Sequence, residues 1–311
     1  LLEIVDVVFD IAVNPDRGYA LSLRGIAREV AAALDVKYSD PVHAIDLAAF
    51  TTSKGGVSVK IDDPTGASVI FIRTLENFNP AAQSPLWIRR RIEKCGMRSI
   101  SLAVDVTNYV MLELGQPLHA FDRAQINGGL HIRRAGSTAT FKTLDGQVRT
   151  LDAQDLLVAD EKGPLALAGT MGGENSEVGV ATTSLAIEAA RFDPISIARN
   201  ARRHTLSTEA SKRFERGVDT YLAQNASSRA AALLIEFAGA THLASHSDGE
   251  PRYSPIVDFD PTFAATLTGA DISNATVAEK LRIIGCDIEE KSAKLWRIDP
   301  PSWRNDLQGP A

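Results

Sequence analysis

The segment Asp105–Asp122, DVTNYVMLELGQPLHAFD, joins a helical pattern to an abrupt corner. Its apolar residues recur at helical spacing and share one face: Val106, Tyr109, Val110 and Leu114. Gly115 is a natural C-terminal stop for such a helix, and Pro117 prevents its continuation. The segment therefore predicts an amphipathic helix that turns sharply into the next element.

Three polar residues, Thr107, Asn108 and His119, lie on this helix and just after its corner. By spacing alone, all three are explained by structural roles. Thr107 and Asn108 can bond to backbone groups in a first helical turn, and a lone histidine after a turn usually makes a structural hydrogen bond. Pro117 fixes the backbone two residues before His119, which favours a well-defined position for the imidazole. Both a structural role and a polar pocket remain open at this point.

Composition and charge are those of an ordinary soluble protein of about two domains: 311 residues, 44% hydrophobic and 23% charged. No run of about 18 apolar residues and no basic-then-apolar leader is present, so we expect neither a membrane span nor a signal peptide. The net charge of −6 does not favour nucleic-acid binding by the molecule as a whole, so such contacts must use local basic patches. The chain begins with Leu1 and stops after WRNDLQGPA, which suggests a piece of a longer protein.

The two cysteines, Cys95 and Cys286, lie far apart in the sequence and have no metal-like spacing. This is typical of buried thiols in a reducing compartment, and we expect a cytoplasmic protein.

The first part of the chain predicts two helices and two strands. VVFDIAV predicts a strand, and Ser22 is a plausible N-cap for the helix SLRGIAREVAAAL. SVIFIRTL predicts a buried strand. In SPLWIRRRIEKCG, Ser84 is expected to cap a helix with Pro85 in its first position and Gly96 at its end.

The remainder predicts a β-rich stretch, a run of helices and a small αβ unit. Short strands punctuated by turn residues fill 129–192. Helices are expected at about 194–203, 209–216 and 221–238, followed by a linker near SHSDGEPRYSP. The last part pairs the helix ATVAEKLRIIG with a hairpin in CDIEEKSAKLWRID. We therefore predict an α+β fold with mixed or antiparallel sheets and flanking helices, followed by a small αβ domain.

Further residues could carry chemistry. AGTMGGENSEV is a glycine-rich turn, although it lacks the Gly-Lys-Ser/Thr of a phosphate loop. Glu188 lies in the apolar strand LAIEAARF and either points outward or accepts a hydrogen bond from a buried ligand. Thr208 is expected to cap a helix, on which Glu209 and Arg213 can pair. No serine-hydrolase elbow and no His-Glu-x-x-His spacing is present.

Four strings in this order, VTNYVMLELGQPLHAFD, LALAGTMGGENSEV, EAARFDPISIARNARRH and STEASKRFERGVD, closely resemble the bacterial phenylalanyl-tRNA synthetase β subunits. The resemblance covers essentially the whole chain. It implies a lead-in segment at 1–36, an editing module at 37–250 and a small, C-terminally truncated winged-helix-like domain at 251–311.

The resemblance implies hydrolysis of tyrosine wrongly esterified to phenylalanine tRNA. A hydrophobic synthetic pocket rejects an added hydroxyl only about a hundredfold. A second pocket that hydrogen-bonds the hydroxyl reverses the preference, because phenylalanine would leave its acceptor unpaired at a cost of roughly 1–3 kcal/mol. Two alternatives stay open: a non-catalytic module of the same synthetase that only binds tRNA or partner subunits and, without the resemblance, an αβ small-molecule enzyme that uses the AGTMGG turn.

Carried onto matching positions, the resemblance implies that Glu188 accepts the phenol hydroxyl and that His119 lies near the scissile ester. Thr107 and Asn108 would hold the substrate or an attacking water. The remaining pocket residues would be Gly169, Gly172, Gly173, Thr208 and Ala210. Thr205 and Ser207 stand where the resemblance leads us to expect glycine and arginine.

The resemblance also implies direct attack by a positioned water on the ester, with no acyl-enzyme. We expect no cofactor in this chain; ATP and magnesium are expected only for the whole synthetase. Asp306 in PSWRNDL would be the remnant of a truncated magnesium site and would hold no stable metal. Expected partners are phenylalanine tRNA and the α subunit of an α2β2 assembly, with this chain alone a monomer or weak dimer and no membrane contact.

Overall fold

A computed structural model describes residues 6–251 and 254–309 and confirms the α+β class. The helices in these ranges are α1 Leu23–Leu34, α2 Leu86–Lys94, α3 Leu102–Leu114, α4 Pro194–Arg203, α5 Glu209–Arg216, α6 Leu222–Ala238, α7 Phe263–Thr268 and α8 Asn274–Ile283. The strands are β1 Val59–Ile61, β2 Ala67–Glu76, β3 Leu118–Asp122, β4 Leu130–Arg134, β5 Thr140–Lys142, β6 Val148–Thr150, β7 Leu156–Ala159, β8 Pro164–Leu167, β9 Met171–Gly172, β10 Leu185–Phe192, β11 Thr241–Gly249, β12 Val257–Phe259, β13 Asp287–Ser292 and β14 Leu295–Asp299.

A four-stranded antiparallel sheet of order β11-β2-β10-β3 lies at the centre of the larger part of the chain. Strand β10 is covered on both faces, and all its residues except Arg191 are buried. Because side chains alternate across a strand, Ile187 faces one layer and Glu188 the other.

The face that Ile187 shares with Ala120 packs against the helices α2, α3 and α6 in one apolar cluster. The opposite face, with Ala186 and Ala190, packs against a five-stranded sheet and against apolar side chains of α4 and α5. That second sheet has the order β1-β4-β7-β8-β9, and only its β1–β4 pair is parallel. The larger part of the chain is therefore layered as helices, sheet and second sheet.

The small C-terminal part has its own apolar core, built around Trp296, Ile298 and Val277. Its antiparallel sheet has the order β12-β14-β13, and the hairpin predicted from CDIEEKSAKLWRID is the β13–β14 pair.

Local capping signals account for most helix boundaries. Ser22 caps α1 by accepting from the Gly25 N–H at 3.0 Å, as predicted. Asp193 caps α4, whose first residue is Pro194. The cap expected at Ser84 is wrong: Pro85 occupies the N-cap position of α2, and the Ser84 hydroxyl donates to the buried Asp105 carboxylate at 2.5 Å.

Other differences involve pairing over long distances in the sequence. The strand predicted at VVFDIAV is wrong, because residues 7–13 find no strand partner in the described part of the chain. Strands β3 and β11 were not predicted; β11 takes up the start of the expected linker, because its backbone pairs with β2. Within the residues that the structure describes, none of the helices combines the length and apolar character that a membrane crossing needs.

Candidate active site

Glu188 on β10 and His119 on the edge strand β3 are directly opposed in the antiparallel register. Alternation along the strands directs Glu188 to the face that also carries Ala186 and Ala190, and it places His119 on the same face as Phe121. The two side chains that the sequence singled out 69 positions apart are therefore neighbours on one sheet face.

The Glu188 carboxyl is buried, with the residue only 6% exposed, and it has no hydrogen-bond or ion-pair partner among the described residues. Burial raises its pKa to about 8. At neutral pH the group is therefore mainly a protonated carboxylic acid, which can donate one hydrogen bond and accept others.

The His119 imidazole packs edge-on against the Phe121 ring, with 4.4 Å between the ring centroids. Burial lowers its pKa to about 4, so the ring is neutral at physiological pH. A neutral imidazole keeps one nitrogen free as an acceptor, and can hold a water molecule or take its proton.

A small cavity opens beside these two residues, with about 70 Å³ in which the centre of a water-sized molecule can lie. Its walls come from the start of β3, the β8–β9 turn, the end of β10 and the helix α5. The lining residues are Pro117, Leu118, His119, Ala166, Leu167, Gly169, Thr170, Met171, Gly172, Glu188, Phe192, Ala210 and Phe214. Mostly apolar walls with two titratable groups are typical of a small-molecule or cofactor site.

Gly172 allows the β9 backbone to lie directly against His119. A Cβ added at Gly172 would fall 2.6 Å from the imidazole Cε1 and 2.9 Å from Nε2. Gly169 has φ +60, and a Cβ there would lie 2.8 Å from the Phe214 ring. Both glycines line the cavity, and a side chain at either position would displace a neighbouring ring.

Gly173 and Thr208 stand behind the cavity wall and do not line it. A Cβ at Gly173 would meet the Phe141 ring at 2.5 Å, so this glycine permits close packing of the β5–β6 hairpin. The Thr208 hydroxyl caps α5 by accepting from the Ser211 N–H, and it donates to the Thr170 carbonyl at 3.1 Å. Thr208 thus connects α5 to the glycine-rich turn, while Ala210 in the first turn of the helix faces the cavity.

Thr107 and Asn108 lie in the middle of α3, and neither lines the cavity. The Thr107 hydroxyl donates to the Val104 carbonyl at 2.8 Å, a back-bond within the helix. The first turn of α3 is capped instead by Ser101. Their assignment as groups that orient water stays a prediction.

The Asp306 carboxylate forms an ion pair with Arg304. Burial alone would raise the pKa of Asp306, but the bidentate contact with Arg304, at 2.7 and 2.8 Å, outweighs it and lowers the pKa. The described residues include no group of three or more His, Cys, Asp or Glu side chains that could hold a metal ion. These residues by themselves do not fit a magnesium site.

Gln116 is a site residue that sequence reasoning missed. Its side chain is fully buried, and its Nε2 donates to the carbonyls of Pro117 and Ala190, each at 2.9 Å. The amide therefore ties the corner before His119 to the strand that carries Glu188. The sequence signal that could have identified Gln116 is its position, as a polar residue between a helix-ending glycine and a proline.

Thr205, in the loop between α4 and α5, has φ 54. Positive φ is strained for a β-branched residue and is readily adopted by glycine. The glycine expected at this position thus has a conformational reason, and this chain places a threonine there.

Comparison with known proteins places these elements in a family. Residues 66–239 match the sequence profile of the B3/4 domain, and residues 257–311 match that of the tRNA synthetase B5 domain. The chain is 48% identical over 314 residues to the phenylalanine–tRNA ligase beta subunit of Streptomyces avermitilis, and 49% identical over 313 residues to that of Thermobifida fusca. Each match covers 100% of this chain and 37% of the relative, so the chain spans little more than a third of their length.

Among solved structures, an N-terminal fragment of the phenylalanyl-tRNA synthetase beta-subunit from Pyrococcus horikoshii is similar, with a TM-score of 0.42 and 15% sequence identity. The similarity covers 94% of this chain and 81% of that one.

Proposed function

Since the chain belongs to the B3/4 domain family and matches phenylalanine–tRNA ligase beta subunits along its whole length, we propose that it hydrolyses the ester of tyrosine wrongly attached to phenylalanine tRNA. The observation that carries the proposal is the buried Glu188 carboxyl, which lacks a partner among the described residues and lies beside His119 on a cavity wall.

Selection of tyrosine follows from the state of Glu188. A protonated carboxyl can exchange hydrogen bonds with the phenol hydroxyl as donor or acceptor. Phenylalanine would fill the same apolar space and leave the carboxyl without a partner, a difference of roughly 1–3 kcal/mol in binding. The cavity therefore favours the wrong amino acid, as an editing site requires.

Hydrolysis requires a water molecule held against the ester carbonyl. The neutral His119 imidazole at the β9 wall can accept a hydrogen bond from this water and direct it. Gly172 keeps the space next to the imidazole open, since any side chain there would meet the ring. Thr107 and Asn108 would contribute from α3 through their remaining hydrogen-bonding capacity.

The partners proposed for the chain are those of the whole ligase. They are phenylalanine tRNA as the carrier of the ester and an α subunit in an α2β2 assembly. ATP and magnesium belong, in this proposal, to synthetic chemistry elsewhere in the ligase, and no step in the cavity uses them. Asp306 would complete a metal site only with groups from outside this chain.

The direct test is deacylation of tyrosyl-tRNA and of phenylalanyl-tRNA by the unmutated chain and by the variants Glu188→Ala and His119→Ala. We expect Glu188→Ala to reduce the preference for tyrosine and His119→Ala to slow hydrolysis of the tyrosyl ester. Glu215→Ala, which alters an exposed carboxylate on α5, is the matched control and should behave as the unmutated chain does. Equal deacylation by all four proteins would exclude this cavity as the hydrolytic site and would leave a binding role for the module.

A further inference from the structure

The outer face of α4 carries two arginines, Arg199 and Arg202, that have no role in the proposed site. They lie three residues apart, so they share one face of the helix, and both are exposed. Neither makes an ion pair or a side-chain hydrogen bond within the part of the chain that the structure describes.

The surrounding stretch is locally basic in an acidic chain. Residues 193–216 contain six arginine or lysine residues and three acidic residues, whereas the whole chain has a net charge of −6. Neighbouring groups hold the other four cations: Arg203 pairs with Asp155, Lys212 and Arg213 with Glu209, and Arg216 with the Val13 carbonyl. Arg199 and Arg202 are the two of these six whose guanidinium groups stay available for a ligand.

Their helix is part of the structure that supports the cavity. Helix α4 packs against α5, and α5 contributes Ala210 and Phe214 to the cavity wall. The α4 side chain Ile197 lies 3.1 Å from the position that a Cβ of Gly169 would occupy. The loop that connects α4 to α5 exposes Thr205 and Ser207, so exposed polar residues follow the two arginines along the chain.

We propose that Arg199 and Arg202 form a phosphate-binding surface for the RNA strand whose esterified end occupies the cavity. The proposal rests on the proposed function, because a ligand esterified to an RNA end brings a polyanion to the part of the molecule that holds the cavity. Guanidinium groups bind phosphate oxygens in bidentate geometry, and two on one helix face can contact two phosphates of a single strand. The surface therefore positions the strand without reading its bases.

The test measures the affinity of deacylated phenylalanine tRNA for the chain at several salt concentrations. The double variant Arg199→Gln/Arg202→Gln should bind more weakly and should reduce the slope of log K against log salt by about 1.4, the value for two phosphate contacts to a single strand. Arg89→Gln/Arg98→Gln is the matched control: it removes two exposed arginines in or just after α2, which packs on the opposite face of the central sheet. This control should keep the unmutated slope.

An unchanged slope in the α4 variant would overturn the proposal, as would an equal loss in the α2 control, which would indicate a general charge effect. An unmutated chain that binds no tRNA at low salt would overturn it as well. Free tyrosine should bind both double variants as it binds the unmutated chain. Glu188→Ala could deacylate tyrosyl-tRNA normally while Arg199→Gln/Arg202→Gln reduces the slope of log K against log salt. That result would refute the proposed function and support the phosphate-binding surface.

Discussion

Glu188 and His119 are paired across β10 and β3, and burial shifts their pKa values in opposite directions. The acid, with a pKa of about 8, keeps its proton through neutral pH, and the imidazole, with a pKa of about 4, stays unprotonated. Between these values two uncharged polar groups face the cavity. Such a pair can hydrogen-bond a phenol and a water without first desolvating a charge.

Glu188→Gln should make the free energy of unfolding less sensitive to alkaline pH. The folded-state pKa of Glu188 is about 8 against an ordinary value of 4.5, so the folded protein binds an extra proton between these values. The glutamate therefore loses stability as pH rises through this window, whereas glutamine does not titrate. In urea unfolding at pH 5 and pH 8.5, the free energy of unfolding of the variant, relative to that of the unmutated chain, should be higher at pH 8.5.

The pH window separates this effect from that of His119, whose folded-state pKa of about 4 lies below its ordinary 6.5. The imidazole contributes stability that is present above 6.5 and is lost as pH falls towards 4. A difference between Glu188→Gln and the unmutated chain that is constant from pH 6.5 to 8.5 would contradict a raised Glu188 pKa. His119→Gln should instead flatten the acid side of the profile.

Gly172→Ala should slow ester hydrolysis strongly, because it displaces the His119 imidazole. Its Cβ would lie 2.6 Å from the His119 ring, so either the imidazole or β9 must move. We expect at least a tenfold loss in the deacylation rate, since a shift of about 1 Å in a catalytic group can reduce a rate a hundredfold. Gly179→Ala is the control, because a Cβ there meets nothing within 4 Å. Equal rates for both variants would show that the position of His119 does not matter.

Local signals in the sequence were sufficient to predict where the helices around the site begin. Asp193-Pro194 and Thr208 fixed the starts of α4 and α5 through hydrogen bonds within a few residues. The site itself depends on pairing between distant strands. That β3 would pair with β10, and so bring His119 opposite Glu188, follows from tertiary packing that no local pattern of five residues specifies. The family resemblance, rather than spacing, joined these two residues.

The same limit explains why four residues that the resemblance grouped with the pocket do not line the cavity. Thr107 and Asn108 lie on α3, Gly173 packs against Phe141, and Thr208 caps α5. Motif similarity shows which segments surround a pocket, whereas the backbone conformation determines which of their side chains point into it.

Thr205→Gly should stabilise the fold. Threonine at φ 54 is strained by roughly 1–2 kcal/mol, and glycine removes this strain while adding about 0.5–1 kcal/mol of unfolded-state entropy. We expect a net gain of about 0.5–1 kcal/mol in the free energy of unfolding, measured by urea titration. Thr205→Ala, which keeps a Cβ, should gain less; a glycine variant less stable than the alanine variant would show that the loop is not strained.

Ala210→Val should reduce the cavity without disturbing the helix that carries it. Ala210 lies in the first turn of α5 and lines the cavity beside Phe214, so two added methyl groups would occupy ligand space instead of replacing packed atoms. We expect the affinity for free tyrosine, measured by calorimetry, to fall at least about fivefold, because overpacking a filled site commonly costs about 1–3 kcal/mol. The unfolding midpoint should change by no more than it does in Ala232→Val, the same substitution on an exposed face of α6. Unchanged tyrosine binding in Ala210→Val would mean that the ligand does not reach α5, and the wall formed by Ala210 and Phe214 would have to be excluded from the site.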